Sequence, residues 1–220
     1  MIRALILLSA LATLAGQARD NGVTGTEVLE NDTIAVTRMH MPPGASGGIL
    51  PQTSSFVVVQ VIAGDVEITQ PGENSRAFRP AGATTYVPPN VGQRIANVGT
   101  TPFDVLVIKV KPSRPPAPSA PATDAPPGIS RTTVLDNTDV RIVRVRFSPE
   151  SREPVHTHPN DLLTMQISRA RVDIAIGDGK AGDTRSEREP GFVQFVPRNT
   201  PHAYASADSH AFEILSVAIK

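Results

Sequence analysis

Apolar residues along this chain occur in short runs, which either alternate with polar residues or are continuously apolar. A period of two is typical of a β-strand with one buried face, whereas a helix repeats about every 3.6 residues. Gly, Pro and Asn separate the runs, and no long amphipathic helical pattern lies between them. In the first half the runs are 33–41, 54–69, 84–89, 93–98 and 103–111. The pattern predicts an all-β fold of short antiparallel strands, arranged as a small barrel or sandwich.

The second half of the chain repeats the pattern of the first half. The segment VLENDTIAVTRMHMPP (28–43) aligns without a gap with VLDNTDVRIVRVRFSP (134–149), which lies 106 residues later. Other segments align in the same way: 61–68 with 167–174 at the same offset, and 82–90 with 191–199 and 103–111 with 212–220 at an offset of 109. Chance similarity would not keep its register over four separate segments. The sequence therefore indicates two copies of one structural unit.

A proline-rich segment, KPSRPPAPSAPATDAPPGIS (111–130), lies between the two copies. Its composition favours an extended, semi-rigid spacer over a packed element. We therefore expect an N-terminal unit over 19–111, a Pro-rich linker over 112–128 and a C-terminal unit over 129–220.

The first eighteen residues, MIRALILLSALATLAGQA, have the features of a secretory signal peptide. Arg3 precedes a short apolar stretch, and Gly16 and Ala18 supply the small residues that signal cleavage requires. The apolar stretch is shorter than the roughly 20 residues of a membrane-spanning helix. The sequence predicts removal of residues 1–18 and a periplasmic or secreted protein; an uncleaved anchor or an ordinary N-terminal segment is the alternative.

The charge pattern bears on the partners of the protein. Twenty-one basic and twenty-one acidic residues give a formal net charge of zero at pH 7, and the basic residues are scattered. This distribution favours neither a nucleic acid nor an anionic membrane surface. A small molecule is the expected partner, and assembly into a homo-oligomer stays open.

Two of the five histidines, His156 and His158, lie two positions apart at the start of an apolar run. Residues i and i+2 of a strand point to the same face, so the two imidazoles are expected side by side. His202 begins a later strand directly after a Pro-rich turn and is the candidate for a third ligand. Three imidazoles can share one divalent metal ion, but simply solvated histidines fit the same spacing.

Two known sequence motifs, those of the cupin proteins, match residues of the second copy in order and spacing. The matching residues are His156, His158, Gly191, Pro197 and His202. The first motif is Gly, five residues, His-x-His, three or four residues, Glu, six residues and Gly. The second is Gly, five residues, Pro-x-Gly, two residues, His, three residues and Asn. The chain thus resembles the cupin superfamily, and its repeat makes it similar to a bicupin. The resemblance implies two small antiparallel β-barrels of the double-stranded β-helix, or jelly-roll, type.

The sequence departs from the cupin motifs at several positions. Glu150 stands in place of the first glycine, Asn199 in place of the glycine of Pro-x-Gly, and Ser206 in place of the terminal Asn. Asparagine tolerates a left-handed backbone better than most residues, so the turn can be kept. The glutamate ligand is replaced by Leu162, or by Leu163 if the longer spacing applies.

The resemblance implies that His156, His158 and His202 hold one divalent transition metal. Fe, Zn, Mn, Ni and Cu all accept imidazole ligands. Three neutral imidazoles leave the charge of the metal uncompensated, which favours a bound hydroxide or an anionic ligand. A vestigial cluster that has lost its metal is the alternative.

Three further residues are candidates for lining the pocket or supporting the ligands. Gln166 and Tyr204 share the parity of His158 and His202, so they are expected to face the interior. Asp161 adjoins the position of the missing glutamate, but its parity directs it away unless the loop bulges.

The first copy lacks the three histidines. At the two offsets, Leu50, Gln52 and Gln93 correspond to the ligand positions, and Phe56 stands at the glutamate position. Leucine offers no donor, and neutral amides are poor ligands for the metals that imidazole binds. We expect one metal per chain, held by the second copy.

Two functional hypotheses follow from these observations. One is a small-molecule metalloenzyme, a dioxygenase or an isomerase of the cupin type, although the sequence assigns no catalytic residue. The other is a non-catalytic periplasmic protein that binds a metal and a small ligand. The fold alone does not decide between them, because function resides in the site.

Overall fold

A computed structural model of the chain describes residues 22–111, 125–177 and 184–220. The predicted signal peptide, 1–18, lies outside the described residues, and so do residues 112–124 of the predicted linker. In the described part of the chain the regular elements are seventeen β-strands. No helix in that part is long and apolar enough to cross a membrane. The all-β prediction is confirmed.

The strands divide between the two halves of the chain. The first half contains β1 (Thr24–Glu30), β2 (Ile34–Met41), β3 (Ser46–Ile49), β4 (Ser55–Gln60), β5 (Gly64–Gln70), β6 (Glu73–Arg79), β7 (Thr84–Val87), β8 (Gln93–Asn97) and β9 (Phe103–Val110). The second half contains β10 (Ile129–Asp136), β11 (Val140–Phe147), β12 (Asp161–Gln166), β13 (Ala170–Ile176), β14 (Thr184–Arg188), β15 (Val193–Val196), β16 (His202–Ser206) and β17 (Phe212–Ile219).

Each half is built from two antiparallel sheets, and the larger sheet has the same strand order in both halves. The order is β1-β2-β9-β4-β7 in the first half and β10-β11-β17-β12-β15 in the second. The smaller sheets are β3-β8-β5-β6 and β14-β13-β16. A register shift also recurs, between Glu27 and Leu29 and between Thr133 and Leu135. The repeat in the sequence therefore corresponds to a repeat in topology.

The central strands β4 and β9 of the five-stranded sheet in the first half are buried on both faces. In β4, Val58 packs in a cluster within its own half, whereas its neighbours Val57 and Val59 pack in a cluster that contains residues of both halves. The shared cluster also includes Leu163 and Leu215 from the second half, both fully buried. Burial on both faces explains why β4 and β9 are almost continuously apolar instead of alternating.

Polar contacts accompany the apolar packing between the halves. The Tyr86 hydroxyl donates a hydrogen bond of 2.6 Å to a carboxylate oxygen of Asp139. Thr33 Oγ1 donates to Asp161 Oδ2 at 3.2 Å. These bonds satisfy polar groups at the edge of the shared cluster, where leaving them unpaired would be costly.

Two departures from the cupin motifs occur at left-handed backbone positions. Glu150 has φ 61°, close to the φ of 75° at its counterpart Gly44. Asn199 has φ 58° and its counterpart Asn90 has φ 63°, which agrees with the expected tolerance of asparagine. The turns are kept although their glycines are not.

The apolar pattern does not reveal every strand. Strand β6 is exposed along most of its length, and β1 is nearly as exposed. A strand without a buried face carries no alternation of apolar and polar residues, so the pattern alone could not predict these two strands.

Candidate metal centre

His156, His158 and His202 come together where the segment between β11 and β12 runs beside the start of β16. His156 and His202 form an antiparallel bridge, in which each backbone N–H donates to the carbonyl oxygen of the other at 2.9 Å. The Asn199 N–H donates to the His158 carbonyl oxygen at 2.7 Å. These bonds fix two distant parts of the chain side by side and so bring the three imidazoles together.

The ring nitrogens of the three histidines converge on one point. One potential ligand atom from each residue lies within 4.8 Å of the others. Nε2 of His156 lies 3.1 Å from Nε2 of His158, and the ring of His202 is 4.4 Å from that of His156 between centroids. Two nitrogens bound to one ion at about 2.0–2.2 Å are about 3 to 3.5 Å apart. The observed separation therefore suits a shared metal ion.

Backbone carbonyl groups fix the tautomers of two of these rings. Nδ1 of His156 lies 2.8 Å from the carbonyl oxygen of Pro154, and Nδ1 of His202 lies 3.0 Å from that of Thr200. A carbonyl oxygen only accepts, so each Nδ1 carries the proton and donates it. In the neutral ring the lone pair is then on Nε2. This is the second-nitrogen hydrogen bond that metal-binding histidines usually make.

The surroundings keep two of the imidazoles neutral. Burial, with the charges of His156, His202 and Arg131, lowers the pKa of His158 to about 4. Burial also lowers the pKa of His202, against a hydrogen bond to Thr200 and the charge of Glu153 that act in the opposite direction. Because only neutral imidazole binds a metal, the lowered pKa values reduce the competition between protons and a metal ion at these two rings.

The missing glutamate is not replaced by its sequence neighbours. Leu163 and Met165 of β12 lie in the cluster shared by the two halves, so the alternate residues Leu162, Thr164 and Gln166 face the other side. Leu162, at the position of the glutamate ligand, is buried, and its side chain has no atom that could bind a metal.

Asp161 is directed to a different place from the histidines. Its carboxylate accepts hydrogen bonds from Thr33 of the first half, at 3.2 Å, and from the Arg198 N–H, at 2.9 Å. The Asp161 side chain therefore points towards the first half and not towards the histidines, which is the direction that its parity favours.

Gln166 and Tyr204 contact each other inside the second half. The Tyr204 hydroxyl donates to Gln166 Oε1 at 3.2 Å, and the amide nitrogen of Gln166 donates to the Ser168 carbonyl oxygen at 2.6 Å. Burial raises the pKa of Tyr204 to about 12, so this hydroxyl stays protonated. Both residues are buried, and their polar groups are bonded to each other and to the backbone.

An ion pair close to the histidines was not found from the sequence. Arg131 of β10 lies 2.6 Å from the carboxylate of Glu153, and both side chains are largely buried. The Glu153 N–H donates to the Tyr204 carbonyl oxygen at 2.8 Å, which places Glu153 next to β16. The sequence offered one signal for this pair. Glu153 is a charged residue only three positions before the proposed ligand His156.

The equivalent place in the first half holds amides and an aliphatic residue. Gln93, the counterpart of His202, is paired with Ile49, the neighbour of Leu50, which is the counterpart of His156. The Asn90 N–H donates to the Gln52 carbonyl oxygen at 2.6 Å, as the Asn199 N–H does to that of His158. Gln93 is buried, and its amide atoms have no hydrogen-bond partner among the described residues. The three positions carry no imidazole.

The fold is shared with solved cupin-type structures. A cupin 2 conserved barrel domain protein from Leptotrichia buccalis superposes with a TM-score of 0.63 at 16% identity, covering 93% of this chain and 92% of that protein. Salicylate 1,2-dioxygenase from Pseudaminobacter salicylatoxidans gives a TM-score of 0.66 at 12% identity, covering 91% of this chain and 76% of that one. Oxalate decarboxylase of Bacillus subtilis gives 0.63 at 14% identity, with 89% and 72% covered. No protein-family model and no curated protein sequence matches the chain.

These comparisons establish a cupin-like, all-β fold. Two of the similar structures are enzymes named for small molecules, oxalate and salicylate, and the oxalate decarboxylase contains Mn(II) centres. At such low identity the likeness extends to the fold alone, and the function of this chain has to be argued from its own residues.

Proposed function

We propose that this chain is an exported bicupin whose second barrel binds one divalent transition metal through His156, His158 and His202. The metal site serves a small molecule, which the protein either converts, as an oxygenase or isomerase, or captures without turnover. The proposal includes closure of each pair of sheets into a barrel and the Pro-rich linker between the two units.

One observation carries the metal proposal. In His156 and His202 the Nδ1 atoms donate to backbone carbonyl groups, so the Nε2 lone pairs are available where the three rings converge. The Nε2 atoms of His156 and His158 are 3.1 Å apart, a separation that suits two nitrogens bound to one ion. Fe, Zn, Mn, Ni and Cu all fit a donor set of three imidazoles.

A divalent metal at this site would supply a Lewis acid that polarises an oxygen atom of a small molecule. The residues of the chain contribute orientation and exclusion of water. The Pro154 and Thr200 carbonyl groups fix the orientation of two rings, and Leu162 provides an apolar wall on the interior face of β12.

The binding alternative has its own support. The Tyr204 hydroxyl and the Gln166 amide are bonded to each other, and Glu153 is bonded to Arg131. None of these three polar groups is therefore held ready to transfer a proton to a ligand. Retention of a small anion by the metal-loaded protein without turnover would favour the binder.

The metal proposal can be tested with protein purified from its native compartment. Elemental mass spectrometry should find about one metal ion per chain, and His158→Ala or His202→Ala should remove most of it without unfolding the protein. His210→Ala, which changes an exposed histidine at the polar turn before β17, is the matched control and should retain the metal. Unchanged metal content in His158→Ala would refute the assignment.

The export proposal rests on residues 1–18 and has a separate test. Intact-mass measurement of protein recovered from the culture medium or the periplasm should give a chain that begins at Arg19 or within a few residues of it. Retention of Met1 on protein in the soluble cytoplasm would refute export and leave the metal proposal untouched.

A further inference from the structure

The ion pair of Arg131 and Glu153 lies on the interior side of the second half. The Glu153 N–H donates to the Tyr204 carbonyl oxygen, so Glu153 and Tyr204 lie opposite each other on neighbouring segments. Opposite residues of an antiparallel pair project to the same face. Tyr204 packs in the interior cluster with Phe147 and Phe212, so Glu153 projects to the interior as well. Only 9% of Glu153 is exposed, which is unusual for a glutamate.

The two charges of the pair act on the histidines with opposite sign. The Glu153 carboxylate raises the pKa of His202, and it also raises the pKa of Tyr204. The Arg131 guanidinium lowers the pKa of His158. Tyr204 and His202 lie two positions apart on β16 and so project to one face, which places Glu153 on the side of the sheet that carries the imidazole of His202. Burial of Glu153 limits the screening of its charge by solvent.

We propose that Glu153 supplies the negative charge that the missing glutamate ligand would have supplied, and that Arg131 opposes it. Glu153 acts from outside the three-histidine ligand set: its carboxylate stabilises a divalent cation through space while bonded to Arg131. This inference rests on the proposed metal binding by His156, His158 and His202. It makes Glu153 a positioning residue that sets metal affinity and Arg131 the residue that limits it.

The sign of two substitutions separates this role from a structural one. Glu153→Gln removes the negative charge and keeps the shape, so it should weaken metal binding by about 3- to 10-fold. Arg131→Met removes the positive charge and keeps the aliphatic stem, so it should tighten binding by about 3- to 10-fold. If the ion pair only held the pocket together, both substitutions would weaken binding.

The affinities are measured for the full chain with Zn²⁺ and Co²⁺ at pH 7.5, by competition with a chromophoric chelator. Arg131→Lys keeps the positive charge and should bind within about twofold of the unchanged protein. Glu187→Gln, which removes the exposed ion pair with Arg169, is the matched control and should leave the affinity unchanged. Circular dichroism and thermal melting of each variant establish that it is folded. Should Glu153→Gln fail to fold, Glu153→Asp, which keeps the charge, should retain most of the affinity.

The absorption spectrum of bound Co²⁺ reports on the ligands directly. It should be the same in the unchanged protein and in Glu153→Gln, because Glu153 lies outside the ligand set; a changed spectrum would overturn that placement. Unchanged affinity in Glu153→Gln, or weaker binding in Arg131→Met, would overturn the inference while leaving the metal site intact. Absence of metal binding by the unchanged protein would overturn both.

Discussion

Lowering the pH from 7.5 to 5 should weaken metal binding at this site far less than it weakens binding by three ordinary imidazoles. An ordinary imidazole has a pKa of about 6.5 and binds a metal only when neutral. At pH 5 it is protonated in about 97% of molecules, so proton competition costs about 30-fold in affinity for each ring. His158 has its pKa lowered to about 4, mainly by burial. It is protonated in only about 10% of molecules at pH 5 and contributes almost no loss.

The expected total can be stated as a range. Three ordinary imidazoles would lose about 3 × 10⁴ in affinity over this interval. Without the contribution of His158 the loss is at most about 10³. The lowered pKa of His202 reduces the loss further. The apparent affinity should therefore fall by no more than about 10³ between pH 7.5 and pH 5.

The assay is a Zn²⁺ affinity measurement at both pH values, with a chelator whose own pH dependence is known. Titration of the His158 ring by nuclear magnetic resonance in metal-free protein provides an independent measurement, and the urea-unfolded chain provides the reference. The same shift should make the metal-free protein less stable as the pH falls from 6.5 towards 4, because the unfolded chain takes up the proton first. A loss of affinity of 10⁴ or more would refute the reasoning.

Three substitutions test the packing by urea unfolding of the whole chain. Leu215→Ala, in the fully buried cluster between the halves, should cost about 2–5 kcal/mol; a cost below about 1 kcal/mol would contradict that packing. Gln93→Leu removes two buried amide atoms that lack partners among the described residues and should stabilise the protein by about 1–2 kcal/mol. Loss of stability would instead indicate a partner for Gln93. Glu150→Gly relieves a left-handed residue and should stabilise by about 1 kcal/mol, whereas an equal gain from Glu150→Ala would refute the backbone explanation.

The local sequence pattern was sufficient to predict the all-β class of fold and the three clustered histidines. Alternation and turn residues predicted antiparallel strands, since the side chains of a strand reach opposite faces in turn. The repeat predicted two halves, and the two halves have the same strand order in their larger sheets. The pair His156 and His158 and the spacing to His202 predicted a cluster that the structure brings together.

The sequence could not reveal which surface covers each strand face. Continuous apolar runs in β4 and β9 indicated burial, but only the tertiary structure assigns one face to its own half and the other to its neighbour. Parity favoured an Asp161 side chain that points away from the histidines, but it could not indicate that this side chain meets Thr33 of the first half. Such contacts join residues far apart in the chain, and local periodicity carries no information about them.

The electrostatic character of the site also depends on tertiary structure. Glu153 and Arg131 are 22 positions apart on different segments, and nothing in their spacing indicates an ion pair beside the histidines. The pairing at the site also differs between the halves: His156 lies opposite His202 in the second half, whereas Ile49 and not Leu50 lies opposite Gln93 in the first. The sequence by itself determined the metal-ligating groups, because the ligand chemistry of an imidazole belongs to the side chain. Their neutral state and the charges around them were decided by the fold, because burial and proximity exist only once distant segments pack together.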